Sequence, residues 1–398
     1  MIDFKSFNFA SKKVVMRVDF NVPLNDAFEI TDDTRIVSSL PTIKKILGEG
    51  GSIVLMSHLG RPKAGPNPKY SLSHLMPHLQ SLLSDIKISF VDDCISEKAF
   101  DLSSSLISGE ILLLENLRFY PEEEKGDVDF AKKLSRHGDI YINDAYGTAH
   151  RAHASTAVIA QFFNTDHKGF GLLMNAEVEN GLKLLNSSVK PVTAIVGGAK
   201  VSDKIKLLEN LISKMDNVLI GGGMAYTFIK AKGGEIGKSL CELEYLSLAL
   251  EILEKAEARG CKVYLPEDSV VADAFSKDAN HKIVASDAIS ADWMGLDIGP
   301  NAIKVYNEVI SNSATILWNG PMGVFEFEAF SNGTFSVAKA VASATKEGAF
   351  SLIGGGDSVS AIHQCGLEHE VSFVSTGGGA MLEMLEGKTL PGIAAIQN

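Results

Sequence analysis

The chain has 398 residues, a net charge of −12 and 45% hydrophobic residues. This length is typical of two domains of ordinary size, each able to bury its own core. No apolar run is long enough to cross a bilayer. An acidic chain without Lys/Arg tracts is also a poor candidate for binding nucleic acid or a membrane surface. Any anionic ligand must therefore be held by local groups of basic side chains.

The compartment is indicated by the N-terminus and the cysteines. The first twenty residues lack the charged start, apolar stretch and small-residue cleavage site of a secretory signal. Four widely spaced cysteines form no metal-type pair: Cys94, Cys241, Cys261 and Cys365. We therefore expect a protein of the reducing cytoplasm.

Apolar runs alternate with helix-like segments in the first half of the chain. The predicted strands are Val14–Val18, Ile53–Met56, Ile88–Val91, Ile111–Leu114 and Ile140–Asn143, and the predicted helices are Thr34–Leu47, Ser71–Leu83 and Asp127–Arg136. This alternation predicts a parallel sheet buried on both faces. Pro41 predicts a kink or break in the first helix, and Asp127 is expected to cap the third.

Three arginines follow three different predicted strands: Arg61, Arg118 and Arg151. Ligands of open parallel sheets bind beyond the carboxyl ends of the strands, and the guanidinium fork suits phosphate or carboxylate. One such arginine would be read as a surface residue, but three at equivalent positions predict a phosphate pocket. Asp19 and Asn21 follow the first strand and either contact a ligand hydroxyl or form a turn; the sequence leaves both open.

Two histidines near the fifth strand, His150 and His153, have the spacing of a helical metal pair. No third ligand stands nearby in the sequence. Hydrogen bonding to an anion is therefore the favoured interpretation, loop packing the second, and metal binding the last.

Glycine-rich loops follow apolar runs in the second half. The predicted strands there are Val192–Val196, Val218–Ile220, Val263–Leu265, Ile316–Trp318, Phe350–Ile353 and Val371–Val374. Glycine between a strand and a helix lets backbone N–H groups approach a phosphate. Four such loops on one edge predict a flat or polyanionic ligand lying against the backbone. Close helix–strand packing is the alternative.

The standard nucleotide fingerprints are absent. Residues 233–239 resemble a P-loop, but Lys232 stands where the first glycine belongs. No G-x-G-x-x-G follows a strand, which argues against a dinucleotide site. The glycine loops therefore predict a nucleotide site of another type.

Four polar residues suggest how phosphates would be held at that site. Asp357 follows a triple glycine and suits Mg²⁺, which prefers one or two carboxylates together with phosphate oxygens. Lys200 and Lys204 lie one helical turn apart at a predicted helix start, a position favourable only with a phosphate between them. Glu326 either accepts ribose hydroxyls or is an acid at a helix start.

A helix is predicted between the two halves, in residues 169–191. Its apolar face is formed by Leu172, Leu173, Ala176, Leu182 and Leu185. Gly181 is a weak point within it, and Asn186 to Pro191 end it. The helix either connects two domains or lies inside one large domain; the contrast between the loops of the two halves favours two domains.

Nine segments, in order along nearly the whole chain, resemble the phosphoglycerate kinase family. They are RVDFNVP at 17–23, SHLGRP at 57–62, ENLRF at 115–119, NDAYGTAHRAH at 143–153, GGAKVSDKI at 197–205, GGGMAYTF at 221–228, WNGPMGVFE at 318–326, GGGDS at 354–358 and STGGGA at 375–380. The resemblance implies an α/β protein with two doubly wound, Rossmann-like parallel-sheet domains facing across a cleft and joined by a helix. It also implies a monomer.

The resemblance also implies domain boundaries. Residues 1–168 would bind 3-phosphoglycerate or 1,3-bisphosphoglycerate, 169–190 would form the hinge, and 191–385 would bind ADP or ATP with Mg²⁺. Residues 386–398 would form a tail that returns to the first domain. The implied reaction is reversible phosphoryl transfer between the acyl phosphate and ADP.

Site residues are implied position by position. Substrate-binding positions are Asp19, Phe20, Asn21, Arg35, His58, Leu59, Gly60, Arg61, Arg118 and Arg151. Nucleotide-binding positions are Gly198, Ala199, Lys204, Gly222, Gly295, Asn319, Pro321, Glu326, Gly355, Gly356, Asp357 and Ser358, with Asp357 as metal ligand. Catalytic positions are Arg35, Lys200, Gly355 and Gly378.

The chain departs from the family pattern at two places. Ser358 stands where threonine is common, and its hydroxyl can serve the same role. The predicted helix reads MNAEVENG at 174–181, where the family more often has a charged stretch without glycine, which would alter the stiffness of a hinge. Two other classes compete: a dehydrogenase or lyase acting on a phosphorylated acid through His150 or His153, and a two-lobed solute-binding protein without catalysis.

Overall fold

The computed structural model describes residues 4–63, 65–187 and 189–397. The chain separates into two compact units. One runs to Glu179 and resumes at Thr389, and the other is Asn180–Lys388. None of the described helices is both long and apolar enough to cross a membrane.

The first unit is built on six parallel strands in the order β3-β4-β2-β1-β5-β6. These are β1 (Lys13–Val18), β2 (Ser52–Met56), β3 (Ile88–Val91), β4 (Ile111–Leu114), β5 (Ile140–Asp144) and β6 (Lys168–Phe170). Its helices are α1 (Thr34–Gly48), α2 (Met76–Leu82), α3 (Glu97–Ser105), α4 (Pro121–Lys125), α5 (Val128–Ser135) and α6 (Leu172–Leu185), the last of which continues into the second unit. Strands β2, β4 and β5 are buried at every residue, as continuous apolar runs predict.

The five strands predicted in this half are confirmed, and β6 was missed because three residues are too short to form a distinct apolar run. The predicted break at Pro41 is wrong, since α1 continues through it. Ile36, Ile43 and Ile46 on this helix are fully buried, and that burial offsets the hydrogen bond that proline cannot donate. Asp127 caps α5 as predicted, because its Oδ1 accepts from the Phe130 amide at 2.8 Å.

The helix predicted from Ser71 to Leu83 is only partly correct. A 3₁₀ turn at Leu72–Leu75 precedes α2, which ends at Leu82. The Ser71 side chain accepts from the Ser73 amide and caps this turn. The sequence period is thus helical throughout, but only its second part is α-helical.

The second unit holds another parallel sheet of six strands, ordered β10-β8-β7-β15-β16-β17. The strands of this unit are β7 (Val192–Val196), β8 (Asn217–Ile220), β9 (Glu235–Ile236), β10 (Lys262–Tyr264), β11 (Asp268–Ala272), β12 (His281–Ala285), β13 (Ala288–Ile289), β14 (Met294–Ile298), β15 (Thr315–Asn319), β16 (Phe350–Ile353) and β17 (Phe373–Val374). Its helices are α7 (Ile205–Ile212), α8 (Met224–Ala231), α9 (Leu246–Arg259), α10 (Pro300–Ser311), α11 (Asn332–Lys346), α12 (Gly356–Gln364) and α13 (Gly379–Leu385). The two α/β units with parallel sheets confirm the predicted fold class.

A small antiparallel sheet, β12-β11-β14, was not predicted. Strand β12 is largely exposed, so its sequence HKIVA lacks a buried apolar face. Strands β9 and β13 form a separate pair of two residues each. Strands β9 and β13 are too short, and β12 is too exposed, to give a periodic signal in the sequence.

The last helix, α14 (Pro391–Gln397), belongs to the first unit. The Gly392 amide donates to the Ala149 carbonyl oxygen at 2.8 Å. Lys168 Nζ donates to the Ala395 carbonyl oxygen at 3.0 Å. The chain therefore leaves the first unit at α6 and comes back to it at its end.

Candidate functional site

A cluster of four arginines and two histidines lies at the carboxyl ends of the strands of the first unit. We call it the cationic cluster; its members are Arg17, Arg35, His58, Arg118, Arg151 and His153. The pKa of His58 is held well below its usual value, chiefly by burial and further by Arg17 and Arg118. Burial and the neighbouring arginines likewise lower the pKa of His153 to about 3. The site disfavours added positive charge, which is the field expected of an anion-binding site.

The three predicted arginines differ in how firmly they are held. Arg118 is buried, donates from Nη1 to the Gly60 carbonyl oxygen at 2.9 Å and lies 3.2 Å from Glu124 through Nε. Burial lowers the pKa of the Arg118 guanidinium. Arg151 donates from Nε to His150 Nε2 at 3.2 Å. Arg61 is exposed. The structure therefore brings Arg118 and Arg151 into the cationic cluster and leaves Arg61 on the surface beside it.

The loop after β1 is tied both to α1 and to the loop after β2. Arg35 Nη1 lies 3.2 Å from Asp19 Oδ2 and donates to the Asn21 carbonyl oxygen at 3.0 Å. Asn21 Oδ1 accepts from the Gly60 amide at 2.8 Å. The Phe20 amide donates to Ser57 Oγ at 2.9 Å. These bonds bring together the predicted substrate positions from Asp19 to Gly60.

Asp19 itself has a role in the turn. Its Oδ1 accepts from the Asn21 amide at 3.4 Å, while Oδ2 faces Arg35. The sequence left open whether Asp19 and Asn21 contact a ligand or form a turn, and the structure shows that the turn is present. Asn21 Oδ1 is occupied by the Gly60 amide, and within the part of the chain that the structure describes no hydrogen bond is found from Asn21 Nδ2, which leaves this nitrogen able to donate to a ligand.

Arg17 is a member of the cationic cluster that was not predicted as a site residue. It lies in β1, is 1% exposed, and donates from Nε to Ser155 Oγ at 2.8 Å. In the sequence, Arg17 is a charged residue inside the apolar run VVMRVDF. Because a buried charge requires partners, this position was the signal that could have identified Arg17. The side-chain partners of Arg17, Ser155 and His58, come from distant parts of the chain, which no local pattern reveals.

The second unit contains a cavity of about 540 Å³ at the carboxyl ends of its strands, a size typical of ligand pockets. Part of its wall is apolar and is formed by Leu240, Phe275, Met294, Leu296 and Val324. Seven predicted nucleotide positions line it: Gly198, Ala199, Gly222, Gly295, Pro321, Glu326 and Asp357. Glu326 lies in a turn that precedes a short 3₁₀ helix at Glu328–Phe330, so both alternatives for Glu326 stay open.

Other predicted nucleotide residues form a hydrogen-bonded group next to this cavity. Lys204 Nζ donates to Asn319 Oδ1, and Asn319 Nδ2 donates to the Gly354 carbonyl oxygen at 2.9 Å. Ser358 Oγ accepts from the Gly320 amide at 2.5 Å. Burial lowers the pKa of Lys204, an effect that Asp357 opposes. Lys204 is thus a partly desolvated cation whose position is fixed by Asn319.

The predicted pairing of Lys200 and Lys204 on one helical turn is wrong. Helix α7 begins at Ile205, and the four residues before it are irregular. Lys204 lies at the helix start, whereas Lys200 is exposed in the preceding loop. Polar residues of the sequence GAKVSD favour this turn over a further helical turn.

Several glycines of the loops are required by protein packing. A Cβ on Gly197 would lie 1.9 Å from the Pro321 carbonyl oxygen, and one on Gly320 would lie 2.1 Å from the Gly197 carbonyl oxygen. A Cβ on Gly295 would lie 1.8 Å from Tyr226 Oη. At these positions, close packing within the protein is enough to explain why the residue is glycine. The contacts are mainly between two loops, whereas the alternative stated from the sequence was packing of a helix against a strand.

Gly356 is different. A Cβ there would meet nothing within 4 Å, and its φ lies outside the left-handed region. Gly378 is also open, but its φ of +48° favours glycine by itself. Neither packing nor backbone conformation demands glycine at 356, the first residue of α12. The start of α12 is therefore open at this position, as a phosphate-binding helix start requires.

The near-P-loop segment at 233–239 does not form a P-loop. Strand β9 lies within it, and no helix begins at its end. Lys238 nevertheless lines the cavity, and Ser239 Oγ accepts from the Gly295 amide at 2.9 Å. The segment thus supports the wall of the cavity without cradling phosphates.

Asp357 is the residue best placed to bind a metal ion. It is exposed, lies in the first turn of α12 and lines the cavity. Over residues 4–63, 65–187 and 189–397, no group of three His, Cys, Asp or Glu side chains is placed to hold a metal. A single carboxylate fits Mg²⁺, which takes its remaining ligands from water and nucleotide phosphates.

Comparison with known proteins supports one family. The family model described as phosphoglycerate kinase matches residues 4–388. Phosphoglycerate kinase of Porphyromonas gingivalis is 51% identical over 416 aligned residues that cover 99% of both chains. Cytosolic phosphoglycerate kinase of Triticum aestivum is 51% identical over 385 residues, covering 97% of this chain and 95% of the wheat protein.

Solved structures agree. The structure of phosphoglycerate kinase from Coxiella burnetii superimposes with a TM-score of 0.90 at 41% identity, covering 99% of this chain and 98% of that one. Phosphoglycerate kinase from Pyrococcus horikoshii gives a TM-score of 0.84 at 33% identity, with coverage of 100% and 98%. The chain belongs to the phosphoglycerate kinase family.

Proposed function

We propose that the protein catalyses reversible phosphoryl transfer from 1,3-bisphosphoglycerate to MgADP, giving 3-phosphoglycerate and MgATP. Family membership supports this reaction. The observation that carries it is the pairing of two unlike sites, a cationic cluster in one unit and a partly apolar cavity beside Lys204 and α12 in the other. The comparisons give no support to a dehydrogenase, a lyase or a solute-binding protein.

The cationic cluster would bind the phosphoglycerate. Arg118 and Arg151, with the exposed Arg61, supply forked donors for the 3-phosphate. Asn21 and His58 would donate to the carboxylate end, and Asp19 would accept from the 2-hydroxyl. The backbone of the other predicted positions, Phe20, Leu59 and Gly60, shapes the wall between them.

The cavity would bind the nucleotide with its base against the apolar wall of Leu240, Phe275 and Met294. The ribose hydroxyls would donate to Glu326. The phosphates would lie toward Lys204 and the start of α12, where backbone N–H groups are directed outward. Ala199, Gly222 and Pro321 line the cavity with uncharged groups and would contact the nucleotide there.

Asp357 would hold Mg²⁺, which neutralises charge on the nucleotide phosphates when it is bound. The chain itself contributes cations and backbone donors. We assign Arg35, Lys200 and the amides near Gly355 and Gly378 to the transferring phosphoryl group. They would stabilise its equatorial oxygens.

No nucleophilic side chain and no general base is needed for this reaction. The atom that attacks the phosphoryl group is already an anionic oxygen, of a carboxylate in one direction and of a phosphate in the other. The task of the protein is to align the two substrates and to exclude water, which would otherwise accept the phosphoryl group.

Because the two sites belong to different units, transfer requires that both ligands be brought together. We propose that substrate binding closes the units through a hinge that includes α6. We also propose that the protein acts as a cytoplasmic monomer, in keeping with its four free cysteines and its cytosolic wheat relative.

Calorimetric titration tests the assignment of the two sites. Arg118→Met should weaken 3-phosphoglycerate binding at least about tenfold and leave MgADP binding unchanged. Lys204→Met should weaken MgADP binding by a similar factor and leave 3-phosphoglycerate binding unchanged. A factor of this size is expected from the loss of one charge-assisted hydrogen bond. Wild-type protein that binds neither ligand would contradict the proposed function. Variants that affect both ligands equally would contradict the separation into two sites.

A further inference from the structure

A buried network fixes the side chain of Arg17 behind the cationic cluster. Nε donates to Ser155 Oγ at 2.8 Å, and Nη1 donates to the Val18 carbonyl oxygen. Ser155 Oγ in turn donates to Glu123 Oε1 at 2.5 Å, and the Ser155 amide donates to Glu123 Oε2 at 2.9 Å. Glu123 is fully buried. The guanidinium is therefore held from several sides, with a carboxylate beyond Ser155 as its counter-ion.

The remaining Arg17 nitrogen, Nη2, lies 3.1 Å from His58 Nδ1, and both side chains are buried. A guanidinium carries only donors and stays charged, so His58 Nδ1 must be the acceptor of this bond. A neutral imidazole that accepts at Nδ1 carries its proton at Nε2. Among the described residues, no hydrogen bond to His58 Nε2 is found, so this N–H is left for a ligand.

We propose that Arg17 is a positioning residue that locks His58 in the neutral tautomer protonated at Nε2, so that His58 offers the bound anion a single N–H donor. This inference rests on the proposed function for the identity of the anion, which is the carboxylate end of phosphoglycerate. His58 then acts as a hydrogen-bond donor of fixed direction and takes no part in proton transfer.

The charges around His58 keep this arrangement over the working pH range. Arg17 and Asp19 face it from β1 and the following loop, Arg35 from α1, Arg118 from the turn after β4, and His153 from the loop after β5. Asp19 is the one carboxylate among these groups, and its Oδ1 lies 3.9 Å from Nδ1, beyond hydrogen-bond distance. Burial of His58, together with the three arginines, outweighs it, so His58 is expected to stay neutral at pH 6–8.

Nitrogen-15 NMR of the histidine side chains tests the tautomer directly in protein without ligand. His58, identified by its absence from the spectrum of His58→Gln, should show a protonated Nε2 and an unprotonated Nδ1 that do not change between pH 6 and 8. In Arg17→Met, the ring should exchange between tautomers or titrate in this range. A proton on Nδ1, or a wild-type ring that titrates between pH 6 and 8, would overturn the proposal.

A pair of His58 variants tests the same point without altering Arg17. Glutamine places its amide nitrogen near the position of Nε2, and asparagine places it near Nδ1. His58→Asn should raise the KM for 3-phosphoglycerate roughly tenfold or more above that of His58→Gln, the loss of one hydrogen bond to a charged group. The opposite order would overturn the proposal. The NMR result does not depend on substrate, so it separates failure of the tautomer from failure of the proposed function.

Discussion

Arg35 Nη1 lies 3.2 Å from Asp19 Oδ2 and also donates to the carbonyl oxygen of Asn21 at 3.0 Å. The guanidinium is thereby oriented by the loop after β1, although 38% of the Arg35 side chain is exposed. Asp19 is largely buried, but solvent reaches the Arg35 side and screens the ion pair, so its contribution to stability is about 0–1 kcal/mol. The arrangement orients a cation without burying it.

Replacing Arg35 should therefore affect catalysis and leave folding nearly unchanged. Arg35→Ala is expected to lower kcat by roughly 10²–10³, the usual loss on removing one preorganised electrostatic group. Steady-state kinetics and thermal unfolding measure the two effects. A matched Lys45→Ala variant removes another α1 cation, paired with Glu49 on the surface, and should keep full activity. A kcat of Arg35→Ala within a few-fold of wild type would remove Arg35 from the mechanism.

Gly356 gives a separate prediction about the nucleotide site. Gly356→Ala places a methyl group in open space at the start of α12, so the free energy of unfolding should be unchanged or higher by up to about 1 kcal/mol. Nucleotide affinity should fall about tenfold or more, because the methyl group holds phosphate oxygens away from the backbone N–H groups. Calorimetric titration with MgADP measures the nucleotide affinity, and urea unfolding measures the free energy of unfolding.

Gly48→Ala is the control for that experiment. Gly48 ends α1 with nothing within 4 Å of its Cβ position, and it lies in the first unit. It should show the same effect on stability with no effect on nucleotide binding. If Gly356→Ala bound MgADP as tightly as wild type, the start of α12 would not be a phosphate site.

The buried carboxyl group of Asp144 should make the free energy of unfolding depend on pH. It is fully buried at the end of β5, and its Oδ1 accepts from the Met174 amide at 3.0 Å in the first turn of α6. Burial raises the pKa of Asp144 from 3.8 to about 7. Between these values the folded state binds the proton more tightly than the unfolded state. The resulting stabilisation is complete below pH 3.8 and is lost as pH rises through 7.

Asp144→Asn removes this titration while keeping an oxygen for the Met174 amide. The free energy of unfolding of the wild-type protein should fall from pH 5 to pH 8. In Asp144→Asn this fall should be smaller by roughly 1–3 kcal/mol. Asp297→Asn should act with the same sign, since burial also raises the pKa of Asp297 to about 7. Urea unfolding at the two pH values measures the difference, and an unchanged pH dependence in both variants would show that neither carboxyl is protonated in the folded protein.

Closure of the two units is tested by small-angle X-ray scattering. The radius of gyration should fall most with 3-phosphoglycerate and MgADP together, and less with either alone, because transfer requires both ligands in one water-excluded site. Gly181 lies within α6, and a Cβ there would lie 2.9 Å from Met384 Sδ. Gly181→Ala should therefore stiffen this segment, displace the Met384 side chain and change the extent of closure. Equal dimensions for the free and fully liganded protein would contradict the closure mechanism.

The sequence predicts the parallel strands well because their burial on both faces leaves continuous apolar runs. It fails where burial is slight, as in β12, and where burial overrides a local rule, as at Pro41. Lys204 and Arg118 were predicted as site residues because they stand in loops after strands, at the edge where ligands of parallel sheets bind. Arg17 was missed because its role arises from Ser155 and His58, which are remote in the chain. Packing glycines such as Gly197 could not be told from open ones such as Gly356 without coordinates.

The most direct test of the proposed function is a coupled assay. The protein is mixed with MgATP, 3-phosphoglycerate, glyceraldehyde-3-phosphate dehydrogenase and NADH, and the loss of NADH absorbance is followed. We expect NADH oxidation that requires both ATP and 3-phosphoglycerate and that Arg35→Ala slows by roughly 10²–10³. No oxidation by folded protein that binds both ligands would contradict acyl-phosphate formation.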